Sequence, residues 1–205
     1  MTSYYFIVFF LSLFADIHFH YEMSTMVHMG TLSQWLMRPL SFLETATSFV
    51  LAKILTLLIP GFIVLLLGFW LSPPFPSSTP LFSFLAAIAT VPLSLVMFGL
   101  LSAVIGMFSF WLMKTESIFA LVMLVLEFFG GRLLPLSLLP KWLEELSYFF
   151  PLRFAISLPA EAILHPLQRS VFPILLGQTL WCAFLFLLAS FLWKKGLQQY
   201  DAVGG

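Results

Sequence analysis

Glu127-Phe-Phe-Gly130-Gly131-Arg132-Leu-Leu-Pro135-Leu-Ser-Leu-Leu-Pro140-Lys-Trp142-Leu-Glu-Glu-Leu-Ser-Tyr-Phe-Phe150-Pro-Leu-Arg153-Phe154 is the stretch whose reading decides the fold. It follows a long apolar run and interrupts it. Gly130 and Gly131 loosen the backbone, and Pro135 and Pro140 prevent a helix from resuming smoothly. The residues between them are apolar, which a solvated loop does not favour. Beyond Pro140, Trp142, Leu143, Leu146, Phe149 and Phe150 recur at helical spacing, with Glu144, Glu145 and Ser147 mainly between them. The pattern predicts a broken helix that dips into a bilayer, followed by a short amphipathic helix in the interface. Irregular backbone survives at membrane depth only where protein or a water-filled cavity covers it, so this segment is expected to pack on a bundle.

Working outward, the composition agrees. Of 205 residues, 61% are hydrophobic and 9% charged, against roughly 25% charged in a soluble domain. This is the composition of a polytopic membrane protein. Nine basic and nine acidic residues cancel, leaving no basic surface for nucleic acid. The lone cysteine, Cys182, excludes an intrachain disulfide and a cysteine metal cluster; within an apolar run it reads as a small packing residue. There is no GxxxxGK[ST] phosphate loop and no Rossmann glycine pattern, so an energy source has to come from a partner.

Five apolar segments are expected to cross the membrane: 4–19, 45–71, 81–113, 118–129 continuing into a re-entrant 130–150, and 171–193. The first is slightly short for a core that needs about 20 residues. It has neither a basic leader nor a small-residue cleavage site, so it reads as a membrane helix rather than a signal peptide. Asp16, His18 and His20 at its end suggest a metal or an enzyme site with Glu22 and His28, but residues two apart on a helix point apart. A polar helix end is the simpler reading. Residues 21–43 are expected outside the bilayer core, as an amphipathic helix with Leu32, Trp35, Leu36 and Leu40 on one face and Arg38-Pro39 ending it. Two functions fit such a helix: an interfacial anchor or a helix that docks into a groove on a soluble subunit. Pro60-Gly61 is expected to bend the second span, and Ser72–Pro80 is a proline-rich turn. Glu127 is an ionisable group in an apolar helix, expected on a transport route, paired with Arg132 or Arg153, or, near the helix end, reaching the interface.

Lys194-Lys195, Lys114, and Arg38 with Lys53 can all share one side. The positive-inside rule then makes that side, and the tail 194–205, cytoplasmic. Residues 130–170 fall outside.

At these residues the chain resembles the permease subunits of type-2 ATP-binding-cassette exporters. Gly30-x-Leu32-x-x-x-Leu36-x-Arg38-Pro39-Leu40 is similar to the family's cytoplasmic segment after its second helix. Gly131-x-Leu133-Leu134-Pro135-Leu136-x-Leu138-Leu139-Pro140-x-Trp142-Leu143, with Phe150-Pro151-Leu152-Arg153, is similar to its external re-entrant region. Trp193-x-x-Gly196-Leu197-x-x-Tyr200-x-Ala202-Val203-Gly204-Gly205 is similar to its tail. The resemblance covers nearly the whole chain. It implies an all-α integral membrane protein of about five transmembrane helices, with a cytoplasmic coupling helix around Gly30, Leu32, Trp35, Leu36, Arg38 and Pro39. Gly130, Gly131, Arg132, Pro135, Pro140 and Trp142 then belong to an external re-entrant segment. It further implies a bacterial inner-membrane location, a separate ATPase subunit that carries ATP and magnesium, and a second permease, identical or homologous. This chain itself binds no cofactor on that reading and does no bond chemistry. Two departures stand out: relatives carry a further helix upstream of what is here the first, and His165-Pro166 stands where they have a small residue. The rival reading is a membrane anchor or assembly subunit that transports nothing.

Overall fold

The computed structural model describes residues 2–14, 19–37, 42–71, 85, 87–113, 116–165 and 170–200. Ser72–Pro80, Arg38, Pro39, Leu40, Asp16, His18, Lys114, Pro166, Arg169 and the last five residues of the tail fall outside them. Every regular element among the described residues is helical. In chain order they are α1 (Thr2–Leu13), α2 (Phe19–His28), α3 (Leu32–Leu36), α4 (Phe42–Leu71), α5 (Thr90–Met107, tightening to a 3-10 turn over Phe108–Phe110), α6 (Glu116–Phe129), α7 (Lys141–Ser147), α8 (Leu158–Leu164) and α9 (Val171–Gln199).

Among the described residues, three helices have the length and apolarity to cross a membrane: Thr47–Gly68 within α4, Thr90–Phe110, and Val171–Gln199. The protein is an all-α membrane protein. α5 is its centre, with most of its length buried. Glycines set how closely the others approach. A Cβ on Gly99 would meet Val50 of α4 at 2.8 Å, and one on Gly106 would meet the His20 backbone and Met23 of α2 at 3.0 Å.

α1 has 12 residues, fewer than the about 20 a span requires. The packing explains how that depth is covered. Phe6 lies on Gly68 of α4, Phe10 and Phe14 on Gly61, and the ring of Phe19 of α2 lies 5.3 Å from that of Phe49, tilted against it. α1 and the start of α2 therefore meet α4 in antiparallel order. From Gly68 to Phe49 is about 28 Å at roughly 1.5 Å per residue, close to the ~30 Å hydrocarbon core. α2 then runs beside the second half of α5: His20 meets Ser102 and Gly106, and Val27 reaches the core near the 3-10 turn. Residues 21–28 thus pack on a candidate span. Their polar residues hide a stripe at i, i+4, i+8: Phe19, Met23 and Val27 are all buried. Tyr21 and Glu22 face away, exposed.

The bundle thus has two ends. One carries α3, the start of α4, the exit of α5 and the end of α9. The other carries the end of α6, the broken segment, α7, α8, and the starts of α5 and α9.

Candidate functional site

The break falls where the glycines and prolines put it. α6 ends at Phe129, and Gly131 turns the chain with φ of +77°, a left-handed conformation that favours glycine. Pro135 and Pro140 each start a short helix: a 3-10 turn over Leu136–Leu138, then α7. The exposed carbonyls of this irregular stretch are met by protein. The Tyr4 hydroxyl donates to the Gly131 carbonyl at 2.8 Å, and Tyr5 donates to the Leu133 carbonyl at 3.1 Å. Both tyrosines come from the first turn of α1, so the start of α1 covers the break. Pro135 and Leu136 are buried beneath it, while Trp142 of α7 stands exposed beside Leu146 and Phe149. That apolar face suits an interfacial helix. Gly130 is buried, Pro140 exposed and Arg132 half-buried.

Arg153 ties α7 down. Its side chain is fully buried. One guanidinium nitrogen donates to the Glu144 carbonyl at 2.6 Å and to the Ser147 hydroxyl; the other donates to Glu144 Oε1 at 3.2 Å. The guanidinium also lies over the Tyr148 ring, 3.6 Å from its centroid. An acidic partner of Arg153 is thus Glu144, nine residues back. Glu127 sits on α6, and its side chain lies outside the described ones.

Arg153 opens a π-helical turn, Arg153–Ser157. The wider turn sends the Leu158 N–H to the Arg153 carbonyl. The Phe154 carbonyl would next look to residue 159, which is proline and has no N–H. Gln178 of α9 supplies the donor, from Nε2 at 3.0 Å. The same amide nitrogen reaches the Thr90 carbonyl at 3.1 Å and Ser94 Oγ at 3.0 Å. Gly177 beside it makes room for the Phe154 ring, since a Cβ there would fall 2.2 Å from Phe154 Cε1. Gln178 is fully buried and joins α9, α5 and the π turn. Gln178→Leu is expected to lower stability by about 1–2 kcal/mol, because it strands the Phe154 carbonyl. Thermal unfolding in detergent checks this; Thr179→Leu, on the exposed side of the same helix, should leave the midpoint unchanged.

The opposite end holds the other candidate segment. Gly30 turns the chain with φ of +73° after α2, and Ser33 Oγ donates to its carbonyl at 2.8 Å. Of α3, Leu32 is buried and Trp35 half-buried against the core, while Leu36 and Met37 point outward. The single docking face expected for Leu32, Trp35 and Leu36 is therefore divided: two residues anchor the helix and one is presented. His20 is buried, stacked on Phe119 at 3.7 Å and bonded through its backbone to Ser102. Among the described residues no three His, Cys, Asp or Glu side chains converge as a metal site would need. Cys182 sits half-buried where α9 meets α5.

Gln178 is the structural residue the sequence reading missed. It is the amide within the apolar run of the last helix, and a polar group at that depth was the available signal.

No curated protein and no solved structure matches the chain. Residues 1–204 match the family described as ABC-2 family transporter protein: the chain belongs to the ABC-2 transporter family.

Proposed function

We propose that this chain, a membrane permease component of an ABC transporter, is the permease of an ATP-driven exporter. It couples to a separate ATPase subunit through α3. The observation that carries the reading is the division of α3. Leu32 and Trp35 fix it to the bundle, while Leu36 and Met37 are left exposed just past a glycine hinge. A lever needs both a fixed arm and a free face. The end that carries α3 is also the end of α9, where Lys194 and Lys195 are exposed, in keeping with a cytoplasmic placement. ATP binding would close the ATPase pair and push α3. α2 and α1 would carry the displacement along α4 to the Tyr4–Gly131 contact at the far end, changing access there. The chain contributes no bond chemistry; ATP and magnesium belong to the partner. α4, most of whose surface is exposed in the single chain, leaves an apolar face for lipid or for a second permease, identical or homologous. The setting proposed is a bacterial inner membrane.

The test is the full chain purified with its candidate ATPase. Leu36→Glu with Met37→Glu is expected to cut substrate-stimulated ATP hydrolysis at least tenfold with no change in the permease's thermal midpoint, because both side chains already face solvent. Trp35→Glu is the poorer probe, since that ring is part of the core. Unchanged coupling in the double variant removes α3 from the mechanism. An ATPase that binds but is never stimulated favours the anchoring role.

A further inference from the structure

A cavity of about 230 Å³ lies at the α3 end of the bundle, apart from the segments discussed above. Its lining includes His28, Ser109, Phe110, Trp111, Gln199 and Tyr200. Three polar atoms around it are buried and have no hydrogen-bond partner among the described residues: His28 Nε2, Ser109 Oγ and Tyr200 OH. Ser109 is 2% exposed. Unsatisfied buried polar atoms are uncommon in native structures, and each calls for an occupant. Here three of them line one space far larger than a single water requires.

The electrostatics of that space select the sign of the occupant. α2 ends at His28, the 3-10 extension of α5 ends at Phe110, and α9 ends at Gln199. Three helix C-termini therefore flank one cavity. Each end carries about half a negative elementary charge and leaves carbonyls without helical partners. An anion would meet all three unfavourably; a cation is favoured by all three. Among the described lining residues none is a carboxylate, so they offer a hard divalent ion none of the ligands it prefers. What remains are neutral acceptors and aromatic walls. Phe110 and Tyr200 stand edge to face with centroids 6.2 Å apart, and Phe110 and Trp111 likewise at 6.0 Å. Aromatic faces attract organic cations.

We propose that this cavity binds an alkylguanidinium or alkylammonium group. Its N–H donors bond to Ser109 Oγ, Tyr200 OH and His28 Nε2, and its charge lies against the Phe110, Trp111 and Tyr200 rings. The proposal does not depend on coupling through α3, because the purified chain alone should bind.

The test is thermal unfolding of the full chain in detergent, titrated with methylguanidinium at millimolar concentrations. Methylurea serves as the neutral analogue of the same shape and inorganic phosphate as the anion. Methylguanidinium is expected to raise the midpoint saturably, as a ligand of the native state must; methylurea and phosphate should not. Ser109→Ala with Tyr200→Phe should raise the half-saturating concentration at least tenfold. Trp111→Leu, at a partly exposed position, gives the same test should the double variant fold poorly. Agmatine and an acetylated arginine tripeptide distinguish the source: binding of agmatine alone assigns a free amine, and binding of the peptide equally or better assigns a partner's basic side chain. The proposal is overturned by an absent or non-saturable shift, by an equal response to methylurea, by stabilisation with phosphate instead, or by unchanged affinity in the variants.

Discussion

Arg153→Ala is expected to lower the stability of the protein by about 3 kcal/mol and to release α7 from the bundle. The substitution removes charge-assisted bonds to the Glu144 carbonyl, the Ser147 hydroxyl and the Glu144 carboxylate, each stronger than a neutral bond. It also empties the space over the Tyr148 ring and leaves the buried Ser147 hydroxyl without the guanidinium it accepts from. Removing one partner of a buried pair typically costs 3–5 kcal/mol. The figure here falls at the lower edge because Glu144 is 31% exposed and can hydrate once freed. Arg153→Lys should recover little, since an ammonium neither forks to two acceptors nor stacks on a ring as a guanidinium does. Glu144→Gln should cost less than either. It keeps the backbone carbonyl and still offers an amide oxygen. The thermal midpoint in detergent gives this order. Limited trypsin digestion gives the location: cleavage after Lys141, in the exposed first turn of α7, should accelerate in Arg153→Ala before global unfolding. A variant with the wild-type midpoint and wild-type digestion would mean that Arg153 holds nothing in place.

How much of this was legible in the sequence depends on the kind of signal. Hydropathy alone marks α4, α5 and α9, because twenty apolar residues in a row have few other uses. The break at Gly130-Gly131 and the restarts after Pro135 and Pro140 were equally legible, since glycine and proline act on the backbone locally. α2 was not. Glu22, Ser24, Thr25 and His28 give 21–28 a soluble look, and that the Phe19–Met23–Val27 stripe faces the protein shows only in the core. The partner of Arg153 was hidden for a related reason. Glu144 lies nine residues back, and only the turn after α7 brings it to the guanidinium. Gln178 was hidden more deeply still. Its role answers a missing N–H at Pro159, and neither residue implies the other until the π turn brings them together. Trp35 and Leu36 are adjacent, and periodicity groups them; α3 turns one in and the other out because it is only five residues long and anchored at Leu32.

Gly131→Ala tests whether the far end is a built hinge or a loose loop. The backbone there has φ of +77°, where a side chain adds about 1–2 kcal/mol. The added Cβ would also fall 2.7 Å from the Tyr4 hydroxyl and 3.0 Å from Ser157 Cβ. Neither neighbour yields easily. Tyr4 is buried and bonded to the Gly131 carbonyl itself, and Ser157 is buried in the π turn with its hydroxyl donating to Glu161 at 2.9 Å. Backbone strain and displacement of the tyrosine together are expected to cost about 3 kcal/mol. Gly30→Ala is the control at the opposite end. Its φ is +73°, so it carries the same backbone term, about 1–2 kcal/mol. Tyr4→Phe isolates the hydroxyl and should also cost about 1 kcal/mol. If Tyr4 is what Gly131→Ala displaces, combining it with Tyr4→Phe should be less than additive, because the two changes act on one contact. Thermal midpoints of the four variants decide the matter. Equal losses from Gly131→Ala and Gly30→Ala, or strict additivity with Tyr4→Phe, would mean that α1 does not clamp the broken segment, and the route from α3 to the far end would lose its last link.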